Sequence, residues 1–366
     1  MRFPRFDMER MQSTWEHKIN YDLSESGVEA LTLEEITRDP KELMRTRLGY
    51  AEGVGREATR ALVASFHPGR AADDVVITTG TSEANFLALA TLVSPGDEVV
   101  VVMPNYMQVH GIANGMGARV REVWLREERG WTIDVDALRA AVNARTRVIC
   151  VCQPNNPTGQ ILSQGEIAEI IRIADRDGAW ILADEVYRGA ERSGEESPTF
   201  SGRGARIIVT GGLSKVYGLP GLRIGWLVAP RERVQAVLEV KDYTTIAPAT
   251  ISELLAEIAL ERRKQLLERA RFLVNERWPM LEDWAGGRSR ELHWTAPAAG
   301  AICFFSYRYP IDSMALVDRL IREYSTMIIP GIHFRAERHL RIGFGMQPRI
   351  LHSGLAAIDR LLTALD

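Results

Sequence analysis

The chain has 366 residues, of which 46% are hydrophobic and 25% charged, with a formal net charge of −3. These values are ordinary for a water-soluble globular protein, and the absence of a Lys/Arg block argues against a nucleic-acid-binding protein. No apolar run reaches the roughly 18 residues that a membrane-spanning helix needs, and the N-terminus has no signal-peptide core. We therefore expect a cytoplasmic protein with no nucleic-acid or membrane partner.

The three cysteines are too few for a disulfide framework. Cys150 and Cys152 alternate along one predicted strand, so both point to the same face. A metal or redox pair would need further ligands nearby, and the sequence shows none. We expect these cysteines to be core residues and predict no metal site.

Short apolar segments alternate with helical segments through the middle of the chain. Strands are predicted in VVITTG (75–80), EVVVVMPNY (98–106), RVICVCQPNNPTG (147–159), AWILADEVY (179–187), RIIVTGGLSK (206–215) and GWLVAP (225–230). Continuous apolar runs indicate strands covered on both faces. Helices such as QGEIAEIIRIADRDG between them complete βα units, so we predict an α/β domain with a mostly parallel sheet.

The pattern changes after Pro248. Residues 251–278 are predicted to form one long amphipathic helix with a charged outer face. Beyond it, ELHWTAPAAGAICFFSY, STMIIPG and HLRIGFG are predicted strands of a smaller α+β domain, which a helix at 352–364 closes. We predict an N-terminal arm or lid (1–40), a large domain (41–248) and a small C-terminal domain (249–366).

Unusual polar residues follow the ends of the predicted strands. Gly80, Thr81 and Ser82 open a helix after the first strand, where backbone N–H groups and hydroxyls can bind a phosphate. Further polar residues at later strand ends are Tyr106, Asn156, Asp184, Tyr187, Ser214 and Lys215. In an open α/β sheet ligands bind beyond the carboxyl ends of the strands, so we expect a binding site there.

Three motifs in chain order, PNNPTG, DEVY and LSKVYGLPGLRIG, resemble those of the class I/II aminotransferases, the fold-type I enzymes that use pyridoxal 5′-phosphate (PLP). The similarity covers roughly residues 45 to 345, and the Ser-Lys-x₇-Arg-x-Gly spacing is its most specific part. It implies PLP as the cofactor and a large domain whose mostly parallel sheet is of the seven-stranded type, with a small α+β domain. It also implies a homodimer whose active sites lie at the subunit interface.

The resemblance implies roles for residues around the cofactor ring. Lys215 would bind PLP covalently and move the proton of the substrate α-carbon. Asp184 would keep the pyridine nitrogen protonated, and Tyr106 would stack on the ring. Asn156 and Tyr187 would bond the phenolic oxygen of the ring.

It also implies a phosphate site. Arg223 would hold the phosphate through charge-assisted hydrogen bonds, together with Ser214 and the helix start at Gly80–Ser82. Tyr50, in LGYAEGVG, resembles a tyrosine that reaches the phosphate of the other subunit. The family usually has Ser or Thr where this chain has Gly212, which predicts a weaker phosphate site but not its loss.

Substrate contacts are expected from both ends of the chain. Arg341, in HLRIGFG, resembles the arginine that binds the substrate α-carboxylate, and Asn156 is also expected to contact the substrate. The family's Gly-x-Pro-acid turn over the substrate is replaced here by YDLSESGVEALTL, which supplies Glu25 and Gly27. With Glu9 of the preceding arm, these residues are predicted to meet a cationic side chain, unless the arm is simply a solvated segment.

Each motif taken alone also has a purely structural interpretation. NPTG is often a turn, and Asp184 beside Glu185 could begin a helix. Tyr106 and Tyr187 could be core aromatics at strand ends, and Thr81-Ser82 could be only a helix cap. Arg341 could be an ordinary ion-pair partner. A cofactor site would be excluded only if all of these structural interpretations were correct at once, so PLP binding is the prediction.

Two enzymatic functions remain, of which a transaminase is the main prediction. It would pass nitrogen from an L-amino acid to PLP and then to a 2-oxo acid. The alternative is a PLP-dependent lyase or cyclase in specialised amino-acid biosynthesis, which dehydrates a hydroxylated arginine and closes a ring through the guanidine. The segment ERMQSTWE…DLSESGV resembles hydroxyarginine cyclases of the capreomycidine and enduracididine synthase type. A PLP-sensing transcriptional regulator is disfavoured, because fewer than 50 residues precede Tyr50 and they show no basic recognition helix.

Overall fold

The computed structural model describes residues 2–37 and 39–365. The strands are β1 (Tyr21–Asp22), β2 (Val75–Thr78), β3 (Glu98–Met103), β4 (Arg119–Trp124), β5 (Thr146–Cys152), β6 (Trp180–Asp184), β7 (Ile207–Gly212), β8 (Gly225–Val228), β9 (Leu292–Trp294), β10 (Ile302–Tyr307), β11 (Thr326–Met327), β12 (Ile329–Pro330) and β13 (His339–Gly343). The helices are α1 (Asp7–Trp15), α2 (Leu33–Ile36), α3 (Pro40–Arg45), α4 (Glu57–Ser65), α5 (Gly80–Leu92), α6 (Gln108–Gly115), α7 (Val135–Ala141), α8 (Gln164–Asp177), α9 (Arg231–Lys241), α10 (Thr250–Glu261), α11 (Arg263–Gly286), α12 (Ser313–Tyr324) and α13 (Pro348–Thr363).

The main sheet has seven strands in the order β2-β8-β7-β6-β5-β3-β4. β8 runs antiparallel to both of its neighbours, and the remaining pairs are parallel. Every residue of β2, β3, β6, β7 and β8 is buried, as their continuous apolar runs predicted. The predicted α/β class with a mostly parallel sheet is confirmed.

The edge strand β4 was not predicted from the sequence. Its residues, RVREVW, alternate charged and apolar side chains, and most of them are partly or fully exposed. A strand with one neighbour and a solvated face lacks the continuous apolar run that identified the central strands.

The single long helix predicted at residues 251–278 is wrong, because two helices occupy this region. α10 ends at Glu261 and α11 begins at Arg263, with Arg262 between them at φ −99° and ψ 17°. The Arg262 guanidinium donates to the carbonyl oxygen of Glu35 at 2.9 Å, so the break coincides with a contact to the N-terminal segment. α11 then extends past the predicted end to Gly286.

The N-terminal segment packs on the C-terminal part of the chain. β1 pairs in parallel with β11, and α1 buries Met8 and Met11. The strands β12, β13, β10 and β9 form a second, antiparallel sheet in that order. This arrangement brings residues between 8 and 26 over the carboxyl ends of the main-sheet strands. In the described ranges no helix combines the length and the apolar character that crossing a membrane requires.

Candidate active site

A cavity of about 430 Å³ lies beyond the carboxyl ends of the main-sheet strands, beneath α1. The predicted site residues that line it are Glu9, Glu25, Thr81, Ser82, Tyr106, Asn156, Asp184, Tyr187, Ser214, Lys215, Arg223 and Arg341. Gly80 precedes Thr81 as the first residue of α5, and Gly27 packs over the backbone of Lys215. Tyr50 is 92% exposed and does not line this cavity.

Lys215 lies in the loop after β7 and extends its amine into the cavity. Its Nζ is 2.7 Å from Oε1 of Glu25. Desolvation is the largest single effect and lowers the pKa of the Lys215 amine, but the charge and hydrogen bond of Glu25, together with Tyr187, outweigh it, so the pKa is raised. The amine and the carboxylate therefore form an ion pair on the floor of the cavity.

Asp184 is the last residue of β6 and is almost fully buried. Its Oδ2 accepts a hydrogen bond from Nδ2 of Asn85 at 2.9 Å, and its Oδ1 accepts one from the backbone N–H of Val186. Burial raises the pKa of Asp184, while the Asn85 bond and the charge of Lys215 oppose this shift. A cationic partner stabilises the charged form of a buried carboxylate, and a protonated pyridine nitrogen would be such a partner.

The sequence analysis missed Asn85, which holds Asp184 in place. Asn85 is 1% exposed and also accepts a hydrogen bond from Thr210 Oγ1 at 2.7 Å. An amide on the buried face of the otherwise apolar helix SEANFLALATLV was the available signal, because buried polar side chains require partners.

Two tyrosines connect the sheet to the N-terminal segment. Tyr187 donates its hydroxyl to Ser26 Oγ at 2.8 Å, and burial raises the pKa of Tyr187 to about 12. Tyr106 donates to Oε1 of Glu9 at 2.6 Å, which joins α1 to the end of β3. Glu9 was predicted to meet a cationic side chain of the substrate, and no local pattern indicated its contact with Tyr106.

Arg341, on β13, is 2% exposed. Its Nη1 donates to Oδ1 of Asn156 at 2.9 Å, and its Nη2 donates to the backbone oxygen of Ser24. Its Nε is buried and has no hydrogen-bond partner in the described part of the chain. The guanidinium of Arg341 is held by neutral groups and keeps one N–H donor unused, so it is suited to bind a carboxylate in the cavity.

The start of α5 carries the kind of donors that were predicted to bind a phosphate. Gly80 adopts φ +76°, and a Cβ there would lie 2.4 Å from Nη2 of Arg223, so only glycine permits this approach. Arg223 Nη1 also reaches Ser214 Oγ at 3.4 Å. The hydroxyl of Thr81 is buried without a hydrogen-bond partner in the described residues. Together with the free N–H groups of the helix start, these donors fit a phosphate dianion.

The structure gives a physical reason for Gly212. A Cβ at this position would lie 2.5 Å from Thr81 Oγ1 and 3.1 Å from the backbone oxygen of Ile224. A Ser or Thr side chain at position 212 would therefore clash with Thr81 in its present position. The unpartnered Thr81 hydroxyl lies where a Ser or Thr side chain at position 212 would begin, so it is available as a donor at this place.

Thr81→Ala should weaken the affinity of the apoprotein for PLP by about tenfold, because one hydrogen bond to a charged group is lost. The double variant Thr81→Ala/Gly212→Ser should recover part of this affinity, since the alanine leaves room for the serine hydroxyl. Absorbance titration with PLP measures both, and Thr91→Ala at the far end of α5 is the control. Unchanged affinity in Thr81→Ala would remove its hydroxyl from the phosphate site.

Comparisons with known proteins agree with this geometry. The model of the aminotransferase class I and II family matches residues 19–358. Capreomycidine synthase of Streptomyces vinaceus is 34% identical over 359 residues, which cover 93% of this chain and 89% of that protein. The crystal structure of a PLP-dependent aminotransferase from Streptococcus suis 89-1591 has a TM-score of 0.94 and 30% identity, covering 100% of this chain and 99% of that one. The PLP-dependent cyclase OrfR has a TM-score of 0.92 and 26% identity, with the same coverage.

Proposed function

Since the chain belongs to the class I and II aminotransferase family and its cofactor is PLP, we propose that it dehydrates a hydroxylated guanidino amino acid and closes a ring. The observation that carries this proposal is the row of carboxylates that the N-terminal segment places over the cavity. Its similarity to capreomycidine synthase and to the cyclase OrfR, over nearly the whole of each chain, supports the same reaction class.

The cavity has opposite charges on two sides. Arg341 lies on β13 with a free donor, while Glu9, Glu16 and Glu25 of the N-terminal segment line the cavity. Burying a guanidinium without a carboxylate costs several kcal/mol, so carboxylates at this place favour a cationic side chain. The cavity therefore suits an amino acid whose α-carboxylate meets Arg341 and whose cation faces the segment.

The segment that carries these carboxylates is fixed rather than free. α1 buries Met8 and Met11, and Gln12 Nε2 donates to Ser24 Oγ at 3.1 Å. Glu9 uses one oxygen for Tyr106, which leaves the other for a substrate. Long charged side chains on a packed helix lose less entropy on binding than those on a mobile segment.

The residues of the chain divide the work of the reaction. PLP, when bound, draws electrons from the substrate α-carbon. In this proposal Lys215 takes the proton from that carbon, and Asp184 holds a proton at the ring nitrogen. Release of the neighbouring hydroxyl with that proton gives water and a C=C bond. Addition of a guanidine N–H across this bond closes the ring, so the sum is loss of one water and no oxidant is needed.

Transamination is the second candidate function. The aminotransferase from Streptococcus suis matches this fold with the TM-score of 0.94 reported above, which favours it. The two functions differ in one requirement, because transamination consumes a 2-oxo acid and ring closure does not. Turnover of guanidino amino acids with and without an added 2-oxo acid therefore tests the proposed function directly.

A homodimer is the proposed assembly. Tyr50, Met44 and Leu48 are exposed, and so are Tyr243 and Ile246. The two groups lie close together, since Thr250 Oγ1 donates to the backbone oxygen of Gly49 at 2.6 Å. A second copy covering this apolar face would bring Tyr50 to the phosphate site of its partner. The cytoplasmic location predicted from the sequence stays a prediction.

Glu9→Gln and Glu16→Gln should each raise KM for basic amino acids by about tenfold or more, because a charge-assisted hydrogen bond becomes a neutral one. KM for neutral amino acids should change much less. Steady-state kinetics on both substrate classes measure this difference. Asp7→Asn is the matched control, since Asp7 lies on the same helix and does not line the cavity. An equal effect on basic and neutral substrates would contradict the proposed role of the segment.

A further inference from the structure

The carboxylate of Glu25 is held by backbone groups as well as by Lys215. Its Oε1 accepts hydrogen bonds from the backbone N–H groups of Ser26 at 2.7 Å and Gly27 at 2.8 Å, in addition to Lys215 Nζ. Desolvation raises the pKa of Glu25, but the charge of Lys215 and these bonds lower it to about 2. Glu25 is therefore ionised at neutral pH.

The position of this carboxylate relative to Lys215 is set by the backbone. The N–H of Val28 donates to the backbone oxygen of Lys215 at 3.1 Å. A Cβ at Gly27 would lie 3.2 Å from the backbone oxygens of both Ser214 and Lys215. The turn that carries Glu25 thus rests directly on the lysine loop, which fixes the backbone of Glu25 next to the backbone of Lys215.

Four ionisable groups act on the Lys215 amine from the elements packed around it. Glu25 favours its charged form, Arg341 opposes it, and Tyr187 would favour it only when ionised, while the charge of Lys215 lowers the pKa of Asp184 at the end of β6. Tyr187 is neutral near pH 7, since its pKa is about 12. Among the described residues, Glu25 is the carboxylate that forms an ion pair with Lys215.

We propose that Glu25 is a positioning residue that retains the proton taken from the substrate on Lys215 and so favours water loss over transamination. This inference rests on the proposed function. Transamination would instead require Lys215 to deliver that proton to the bound cofactor. When Glu25 holds the protonated amine of Lys215, the amine stays on the side of the cavity that faces the carboxylates of α1. In this proposal the substrate side chain lies on that side. There the proton leaves with the hydroxyl as water.

Glu25→Gln in the PLP-loaded enzyme tests, without any substrate, whether the charge of Glu25 stabilises the protonated nitrogen of Lys215. The amide keeps an oxygen for the two backbone N–H groups but loses the charge. The pH midpoint of the visible absorption change of the lysine-bound cofactor should fall by about one to three units, because an anion that stabilised the protonated nitrogen is removed. Glu25→Asp should restore part of this shift. Glu16→Gln, which removes a carboxylate of the same cavity that does not contact Lys215, should leave the midpoint unchanged.

The ratio of the ring-closed product to the amino-transfer product tests whether Glu25 favours water loss over transamination. With a hydroxylated guanidino amino acid and pyruvate, Glu25→Gln should increase the ratio of amino transfer to ring closure by about tenfold, the change that one pKa unit brings. An unchanged midpoint overturns the proposal, and so does a shifted midpoint with an unchanged product ratio. Wild-type enzyme that forms no ring overturns the proposed function, and with it the effect of Glu25 on the products. That failure is visible without any variant, whereas the midpoint is measured without substrate, so the two failures can be told apart.

Discussion

Lys215→Ala will reduce turnover by at least about 10⁴-fold, because the substitution removes both the covalent anchor of PLP and the group that moves the α-proton. The structure supports this size of effect, since Nζ lies on the floor of the cavity, 2.7 Å from the carboxylate of Glu25. Arg341 and Arg223 carry guanidinium groups, which cannot give up a proton as an amine does.

Steady-state turnover measures the loss, and borohydride reduction locates the cofactor on the chain. In the wild-type enzyme the reduced cofactor should appear on the peptide that contains Lys215, and in the variant it should be absent. Lys264→Ala is the matched control, because the side chain of Lys264 is 90% exposed on α11 and far from the cavity. Full activity of Lys215→Ala would refute the assignment of the site.

Asp184→Ala and Asp184→Asn should lower kcat by about 10³-fold while PLP still binds. A neutral group beside the ring nitrogen does not keep it protonated, and losing one preorganised electrostatic contact costs about 10²–10³ in rate. Lys215 and the phosphate site at the start of α5 are untouched by either change, so the bound PLP content should remain near that of the wild type.

Single-turnover rates and PLP content measured on the same samples separate these two effects. Asn85→Ala should lie between the wild type and the Asp184 variants, because it removes the 2.9 Å hydrogen bond that fixes the carboxylate but leaves the charge. Asp177→Asn, at the exposed end of α8, is the control. A wild-type kcat in Asp184→Ala would show that Asp184 does not act on the ring nitrogen.

Much of the fold could be predicted because its information is local. The central strands are continuous apolar runs, and the residues that end them, such as Asp184, are polar for reasons visible in the sequence. β4 escaped prediction since an edge strand carries charged side chains on its solvated face. The break at Arg262 coincides with a contact to Glu35, 227 positions away, which no local pattern encodes.

The same distinction explains the candidate site. Motif spacing identified Lys215, Arg223 and Asn156, but the contacts of Lys215 with Glu25 and of Asn156 with Arg341 come from distant parts of the chain. Glu25 lies 190 positions from Lys215, and Tyr106 lies 97 from Glu9. Glu25 was predicted to meet the substrate cation, and its ion pair with Lys215 became visible only in the folded chain.

The mass of the product formed from a hydroxylated arginine, without any 2-oxo acid, tests the central claim most directly. The account predicts a product lighter than the substrate by one water, without ammonia release and with NMR signals of a closed ring. Turnover that stops without a 2-oxo acid, and that yields the 2-oxo form of the substrate when the acid is added, would contradict ring closure and leave the transaminase.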